Sequence, residues 1–300
     1  MSKAMLNEEY ALFLGCTIPI KNQEFEKASR LVLGELGMSL ENMDGAGCCP
    51  NPVAIQSLNM ETWMALAARN IAIAETLDLD VLTLCAGCFE TLRSVNHMLK
   101  NDSKYKRKVN EILGKAGYEY MGSLDVHHFV SILSQDEMLD KIKSLVTRNL
   151  DLKVSSHYGC HLIRPSAHMN FDDPERPLSI DKIMKRIGVQ TLDSSEKMTC
   201  CGYCARLHPE IGQALSERKM MELQGINADC VVAACPACAN QLSNAQRLHN
   251  KEETSSSELD VPILYVTELL ALAFGHEPRE LRMKTKMIRP TALLEKIAEN

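Results

Sequence analysis

The sequence predicts an α/β protein made by tandem duplication, with two pseudosymmetric units of βαβ type. Two sets of five cysteines follow one order, a lone Cys, an adjacent pair and then CxxC: Cys16, Cys48, Cys49, Cys85 and Cys88, then Cys160, Cys200, Cys201, Cys235 and Cys238. Spacing repeats with them, since 31 and 39 residues separate the lone Cys from the pair, and 35 and 33 separate the pair from CxxC. The flanks repeat as well: "ALFLGCTIP" matches "VSSHYGCHLIRP", and "LDLDVLTLCAGCFETL" matches "INADCVVAACPACANQL", a strand-like run that delivers CxxC to a helical pattern.

Taken in order, a strand over residues 10 to 15 ends at Gly15-Cys16, and a helix covers about 22 to 37. The segment "DGAGCCPNP" carries Cys48 and Cys49, one long helix is expected over "PVAIQSLNMETWMALAARNIAIAETL", and a strand at 80 to 84 presents Cys85 and Cys88. In the second unit, helices are expected over 179 to 187, 209 to 224 and 236 to 248, with a strand over 230 to 234. "LDVHHFVSIL" and "ILYVTELLALAF" close the units. Helices that alternate with short apolar strands imply parallel βαβ units, whose sites gather at the carboxyl ends of the strands. The units are placed at 1–150 and 151–278, with a basic tail at 279–300. The charged stretch "NDSKYKRKVNEILGKAGYEYMG" and the Ser-rich "NKEETSSSELD" read as connections or partner surface. The tail reads as a solvated terminal helix or as a segment that docks on a partner subunit.

Composition narrows the function classes. With 45% hydrophobic residues and no apolar run near the roughly 18 to 20 residues of a bilayer span, no membrane segment is expected. The opening "MSKAMLNEEYALF" has no basic stretch followed by an apolar one, so no export signal is expected and a cytoplasmic setting is. A net charge of −6 gives no reason to expect nucleic acid. Twelve cysteines in a reducing compartment point to metal or redox chemistry rather than disulfides.

Zinc is one option, because Cys201-x2-Cys204 and Cys235-x2-Cys238 could complete a tetrahedral sulfur cage. The first unit has the same order without the extra CxxC. Iron and sulfide account for both units, since soft thiolates select clusters. An ordinary cubane takes four thiolates, so a fifth suggests a more open cluster, and adjacent cysteines can reach separate irons because consecutive side chains diverge. Gly45 and Gly47 suit a backbone that brings amides close to sulfide. No flavin or nucleotide fingerprint is visible, since the turns at Gly15 and Gly159 lack GxGxxG.

On these residues, Gly15 to Cys88 and Gly159 to Cys238, the chain resembles the cysteine-rich CCG domain family, in particular the B subunit of the CoB-CoM heterodisulfide reductases of methanogenesis. The resemblance implies two noncubane [4Fe-4S] clusters, one on Cys16, Cys48, Cys49, Cys85 and Cys88, the other on Cys160, Cys200, Cys201, Cys235 and Cys238. It implies reduction of the CoM-S-S-CoB heterodisulfide to two thiols. Implied partners are a C subunit with cubane clusters and a flavin-containing A subunit, themselves fed by a hydrogenase or formate dehydrogenase. Related CCG domains serve lactate and glycolate oxidation and quinone-linked complexes, so an electron-transfer subunit is the alternative enzyme reading. A zinc-holding scaffold is the structural one. Because both coenzymes are anionic, Arg93, His161, Arg164, Arg206 and His208, all near cluster cysteines, are candidate substrate contacts, with His161 also a candidate proton donor. Cys204 and Cys230 lie outside the repeat, Cys230 reading as a small buried hydrophobe.

Overall fold

The computed structural model describes residues 8–205, 207–252 and 258–299, so Arg206 and the core of the Ser-rich connection lie outside the described residues. The first unit runs β1 (Glu9–Phe13), α1 (Ile18–Lys21), α2 (Gln23–Glu35), β2 (Ser39–Asn42), α3 (Ala54–Leu58), α4 (Met60–Glu75), β3 (Val81–Thr83), α5 (Ala86–Asn101), α6 (Ser103–Gly114), β4 (Val126–His128), α7 (Phe129–Leu133) and α8 (Asp136–Leu145). The second runs β5 (Lys153–His157), α9 (Cys160–Ile163), α10 (Ser166–Met169), α11 (Ser179–Arg186), β6 (Gln190–Leu192), α12 (Pro209–Gly225), β7 (Cys230–Ala233), α13 (Pro236–His249), β8 (Ile263–Tyr265) and α14 (Val266–Ala273), and α15 (Thr291–Ala298) follows.

Each unit builds a four-stranded, all-parallel sheet, in the orders β2-β1-β3-β4 and β6-β5-β7-β8. Central strands β1, β3 and β7 are largely buried runs rich in Ala, Leu and Val, as a sheet covered by helices on both faces requires, while β5 buries Ser155, Ser156 and His157. Strand order reverses direction between β1 and β3, and again between β5 and β7. At such a switch point a crevice opens beyond the carboxyl ends of the strands.

The long helix expected after the first cysteine pair is divided. Asn59 leaves the helical region (φ −157°, ψ 105°) and its Oδ1 accepts from Thr62 N at 2.8 Å, capping α4 afresh. The charged connection of the first unit is not loop but α6, whose Val109 and Leu113 face the core while its lysines face outward. "LDVHHFVSIL" and "ILYVTELLALAF" each begin with a strand, β4 or β8, before the helix.

The two units interlock. Helix α14 of the second packs on α2 of the first, with Ser29 and Thr267 hydroxyls 3.0 Å apart and Phe25 stacked on Tyr265 at 3.8 Å between centroids. The mirror contact sets α11 against α7 and α8. Asn22 and Asn240 exchange reciprocal side-chain amide hydrogen bonds across the seam, at 3.2 and 3.0 Å.

The tail folds back on its own chain, burying Leu281, Met283, Leu293 and Ile297. Lys286 pairs with fully buried Glu268 at 2.9 Å and Lys296 pairs with Asp229 at 3.0 Å, while Lys27 donates to Glu280 O. These contacts tie the tail to β7, α14 and α2. No described helix is long and apolar enough to cross a membrane.

Candidate functional site

The loops at the carboxyl ends of both sheets open into one shared cavity of about 760 Å³. Cys16, Cys48, Cys49, Cys85 and Cys88 line it from one unit, and Cys160, Cys200, Cys201, Cys235 and Cys238 from the other. Cys204 lines it too, whereas Cys230 is buried in strand β7 and does not.

Local backbone chemistry brings each thiol there. Gly15 and Gly159 stand at φ +64° and +71°, in the left-handed region, and turn the chain so that Cys16 and Cys160 leave their strands toward the cavity. A Cβ at Gly15 would come 2.8 Å from Cys88 Sγ, and one at Gly159 3.4 Å from Cys238 Sγ, so the glycines also make room for the CxxC thiols. Cys85 and Cys235 stand at the N-cap positions of α5 and α13 without a side-chain cap hydrogen bond; the first-turn amides of α13 help lower Cys235, whereas the hydrogen bond with Cys235 pushes the Cys85 thiol up.

The adjacent pairs are held by their carbonyls. Asn70 accepts from Gly47 N and donates to Cys48 O, both at 3.0 Å, and Thr91 donates to Pro50 O. In the second unit Ser216 donates to Cys201 O at 2.7 Å. Gly202 stands at φ +88°, and a Cβ there would collide with Gly212 O, because the turn after Cys201 lies against α12.

Within each set the thiols are crowded enough to share protons. Cys49 is held well below the ordinary thiol range by hydrogen bonds from the Cys48 and Cys88 thiols, and Cys200 likewise by Cys160 and Cys201. Their donors Cys48, Cys88 and Cys160 are pushed up, chiefly by the same hydrogen bonds and then by burial. At the seam Cys85 Sγ and Cys235 Sγ lie 3.9 Å apart, and Cys235 is lowered by hydrogen bonds from Cys238 and Cys85. Such a set gives up its remaining protons only when positive charge arrives among the sulfurs. With no carboxylate among its described lining residues, the cavity offers a soft donor set that fits iron and sulfide.

His161 is the one candidate contact of the described set that lines this cavity. Its Nε2 is 3.9 Å from Cys204 Sγ, and its Nδ1 is 3.8 Å from Glu90 Oε2. Glu90 is buried, its Oε2 has no hydrogen-bond partner among the described residues, and burial raises its carboxyl to about 7. Arg164 lines an adjoining cavity of about 480 Å³ that shares Pro52, Val53, Ser57, Cys160 and His161 with the first, and it donates to Pro174 O. Arg93 faces away, donating to His168 O and Val126 O as a brace between units. His208 is exposed and pairs with Glu210 at 3.3 Å.

One residue escaped the sequence reading. His157 is 3% exposed, neither ring nitrogen has a hydrogen-bond partner among the described residues, and one nitrogen lies with Cys201 Sγ and Cys238 Sγ in a group within 4.8 Å of one another. Its signal was a polar ring three residues before Cys160, where the first unit has Phe13.

The cysteine-rich domain family, CCG, matches this chain twice, at residues 10–93 and 154–243. The chain is 37% identical to the B subunit of the ferredoxin/F420H2-dependent CoB-CoM heterodisulfide reductase of Methanosarcina acetivorans, over 96% of its own length and 97% of that protein. It is 30% identical to the 8-methylmenaquinol:fumarate reductase membrane anchor subunit of Wolinella succinogenes, over 96% of this chain and 100% of that one. Among solved structures, a hypothetical protein from Helicobacter pylori superposes with a TM-score of 0.75 at 13% identity, over 95% of this chain and 52% of that chain, which is likeness of fold alone.

Proposed function

This chain belongs to the cysteine-rich CCG family of iron–sulfur oxidoreductase subunits, together with the B subunits of heterodisulfide reductases, and from that premise we propose that it is the catalytic subunit of a CoB-CoM heterodisulfide reductase. The reaction is RS–SR′ + 2 e⁻ + 2 H⁺ → RSH + R′SH. The observation that carries this reading is that two complete sets of five thiols line one cavity and touch at Cys85 and Cys235. A substrate with two sulfurs suits a site made of two like halves.

In this reading Cys16, Cys48, Cys49, Cys85 and Cys88 hold one noncubane [4Fe-4S] cluster, and Cys160, Cys200, Cys201, Cys235 and Cys238 hold the other. When bound, such clusters supply one-electron chemistry and iron with affinity for sulfur. The protein's own residues do the rest. Val53, Leu58 and Leu207, apolar and exposed at the rim, shed water as substrate enters. His161 carries a proton at Nε2 toward the departing thiolate, with Glu90 facing Nδ1 behind it. Arg164, in the adjoining cavity, attracts an anionic coenzyme tail.

Electrons are proposed to come from the C subunit, with its cubane clusters, and before it the flavin-containing A subunit, with a hydrogenase or formate dehydrogenase upstream. The test is an anaerobic assay in which the reconstituted chain, a reduced viologen and the heterodisulfide are mixed and free thiol is measured. Two thiols released per disulfide are expected. Cluster-loaded protein that releases none would favour an electron-transfer subunit instead.

A further inference from the structure

One buried histidine makes the two halves chemically unequal. Strand register fixes the comparison: Phe13 pairs with Thr83, two residues before Cys85, and His157 pairs with Ala233, two residues before Cys235. Both rings are buried, and each belongs to the strand that delivers a Gly-Cys turn to the cavity. Phe13 needs no partner. An imidazole does, since removal of its nitrogens from water without new hydrogen bonds is costly.

Among the described residues nothing satisfies either nitrogen of His157. Grouped with it are the sulfurs of Cys201 and Cys238. Both belong to the second thiol set, and both are buried. A neutral imidazole carries one N–H, and a sulfur that bears ligand charge is the acceptor it lacks.

We propose that, with the cluster bound, His157 turns its single N–H toward the Cys201 and Cys238 sulfurs, donates an N–H···S hydrogen bond there, and so raises the reduction potential of the second site above the value it would otherwise have. The inference rests on the iron–sulfur reading of the thiol sets. An N–H directed at sulfur offsets the negative charge gained on reduction, which is how hydrogen bonds tune such centres. The first unit has only the hydrocarbon edge of Phe13 at this place. The duplicated sites are then electronically distinct, with the second holding an electron more readily on account of His157.

The experiment is a dithionite titration of the anaerobically reconstituted chain, followed by EPR, with iron and sulfide measured on each sample. For His157→Phe, which installs the first unit's residue, iron content is expected to match the wild type. One midpoint should fall while the other stays, by roughly a tenfold change in the oxidised-to-reduced ratio at fixed potential, about 59 mV for one electron. His157→Gln, which keeps a side-chain N–H, should hold that midpoint nearer the wild-type value.

Two unmoved midpoints in fully loaded His157→Phe, or an equal fall of both, would overturn the proposal. Should His157→Phe lose iron, the comparison passes to His157→Gln: iron and midpoint retained support the N–H, and loss of both overturns it. A wild-type chain that takes up no iron is a different failure, since it removes the iron–sulfur reading itself.

Discussion

Gly15 and Gly159 show how closely the residues near each sulfur are constrained. Either glycine replaced by alanine places a Cβ residue in the left-handed region, at a cost of about 1 to 2 kcal/mol. Gly15→Ala also drives its Cβ to 2.8 Å from Cys88 Sγ, against 3.4 Å at Cys238 for Gly159→Ala. Both variants should unfold at lower denaturant, and Gly15→Ala should lose more iron; equal iron in the two would contradict the crowding argument. His161→Gln should lower thiol release about 100-fold or more while iron stays bound, as loss of a proton donor requires. His128 gives a pH signature. Burial pushes it down to about 3 from an ordinary 6.5, so between those values the unfolded chain binds the extra proton. Its contribution is fully present above pH 6.5 and falls by about 1.4 kcal/mol per unit of pH below that. His128→Asn keeps an acceptor for Val130 N and does not titrate, so urea midpoints taken from about pH 7 to pH 5 should decline less steeply than for the wild type. At this scale the sequence exposes cysteines because their spacing repeats. It conceals Arg93, whose closeness to Cys88 along the chain says nothing of the helix face that carries it to His168 O.

Among the elements, those that end in a cysteine motif were legible and those at the margins were not. A buried apolar run followed by CxxC and a helical pattern marks β3 with α5 and β7 with α13 on sight. Strands β2 and β6, "SLEN" and "QTL", are short, mostly solvent-facing edges with no alternation to detect. Strands β4 and β8 run straight into helices, so their three residues each merge with the helical pattern that follows. The tail's role could not be read either, because its basic residues pair with acids that local patterns do not connect to it. Glu268 is fully buried and the Lys286 side chain is 7% exposed, and burial raises the Glu268 carboxyl while Lys286 opposes that rise. Lys286→Met leaves that carboxylate without its cation and should destabilise the fold by about 3 to 5 kcal/mol. Calorimetry or urea unfolding checks this, and an unchanged midpoint would mean that the pair adds nothing.

For the whole molecule, duplication produces more than two copies of a site. Each sheet leaves a crevice at its switch point, and the exchange of α14 onto α2 and α11 onto α7 turns those crevices toward each other. Period and cysteine order foretold two units, but not that their thiols would meet at 3.9 Å, because contact between units depends on surfaces that no local pattern records. The absence of described lysine or arginine from the main cavity is a second result of this packing: the described candidate arginines sit beside the cavity or outside it. The central claim is that this shared cavity holds two iron–sulfur clusters on ten cysteines. Metal and acid-labile sulfide analysis of the anaerobically purified chain tests it most directly. About eight irons and a matching amount of sulfide per chain, little zinc, and loss of about half the iron on Cys49→Ala are expected. Two zincs per chain with neither iron nor sulfide would contradict it.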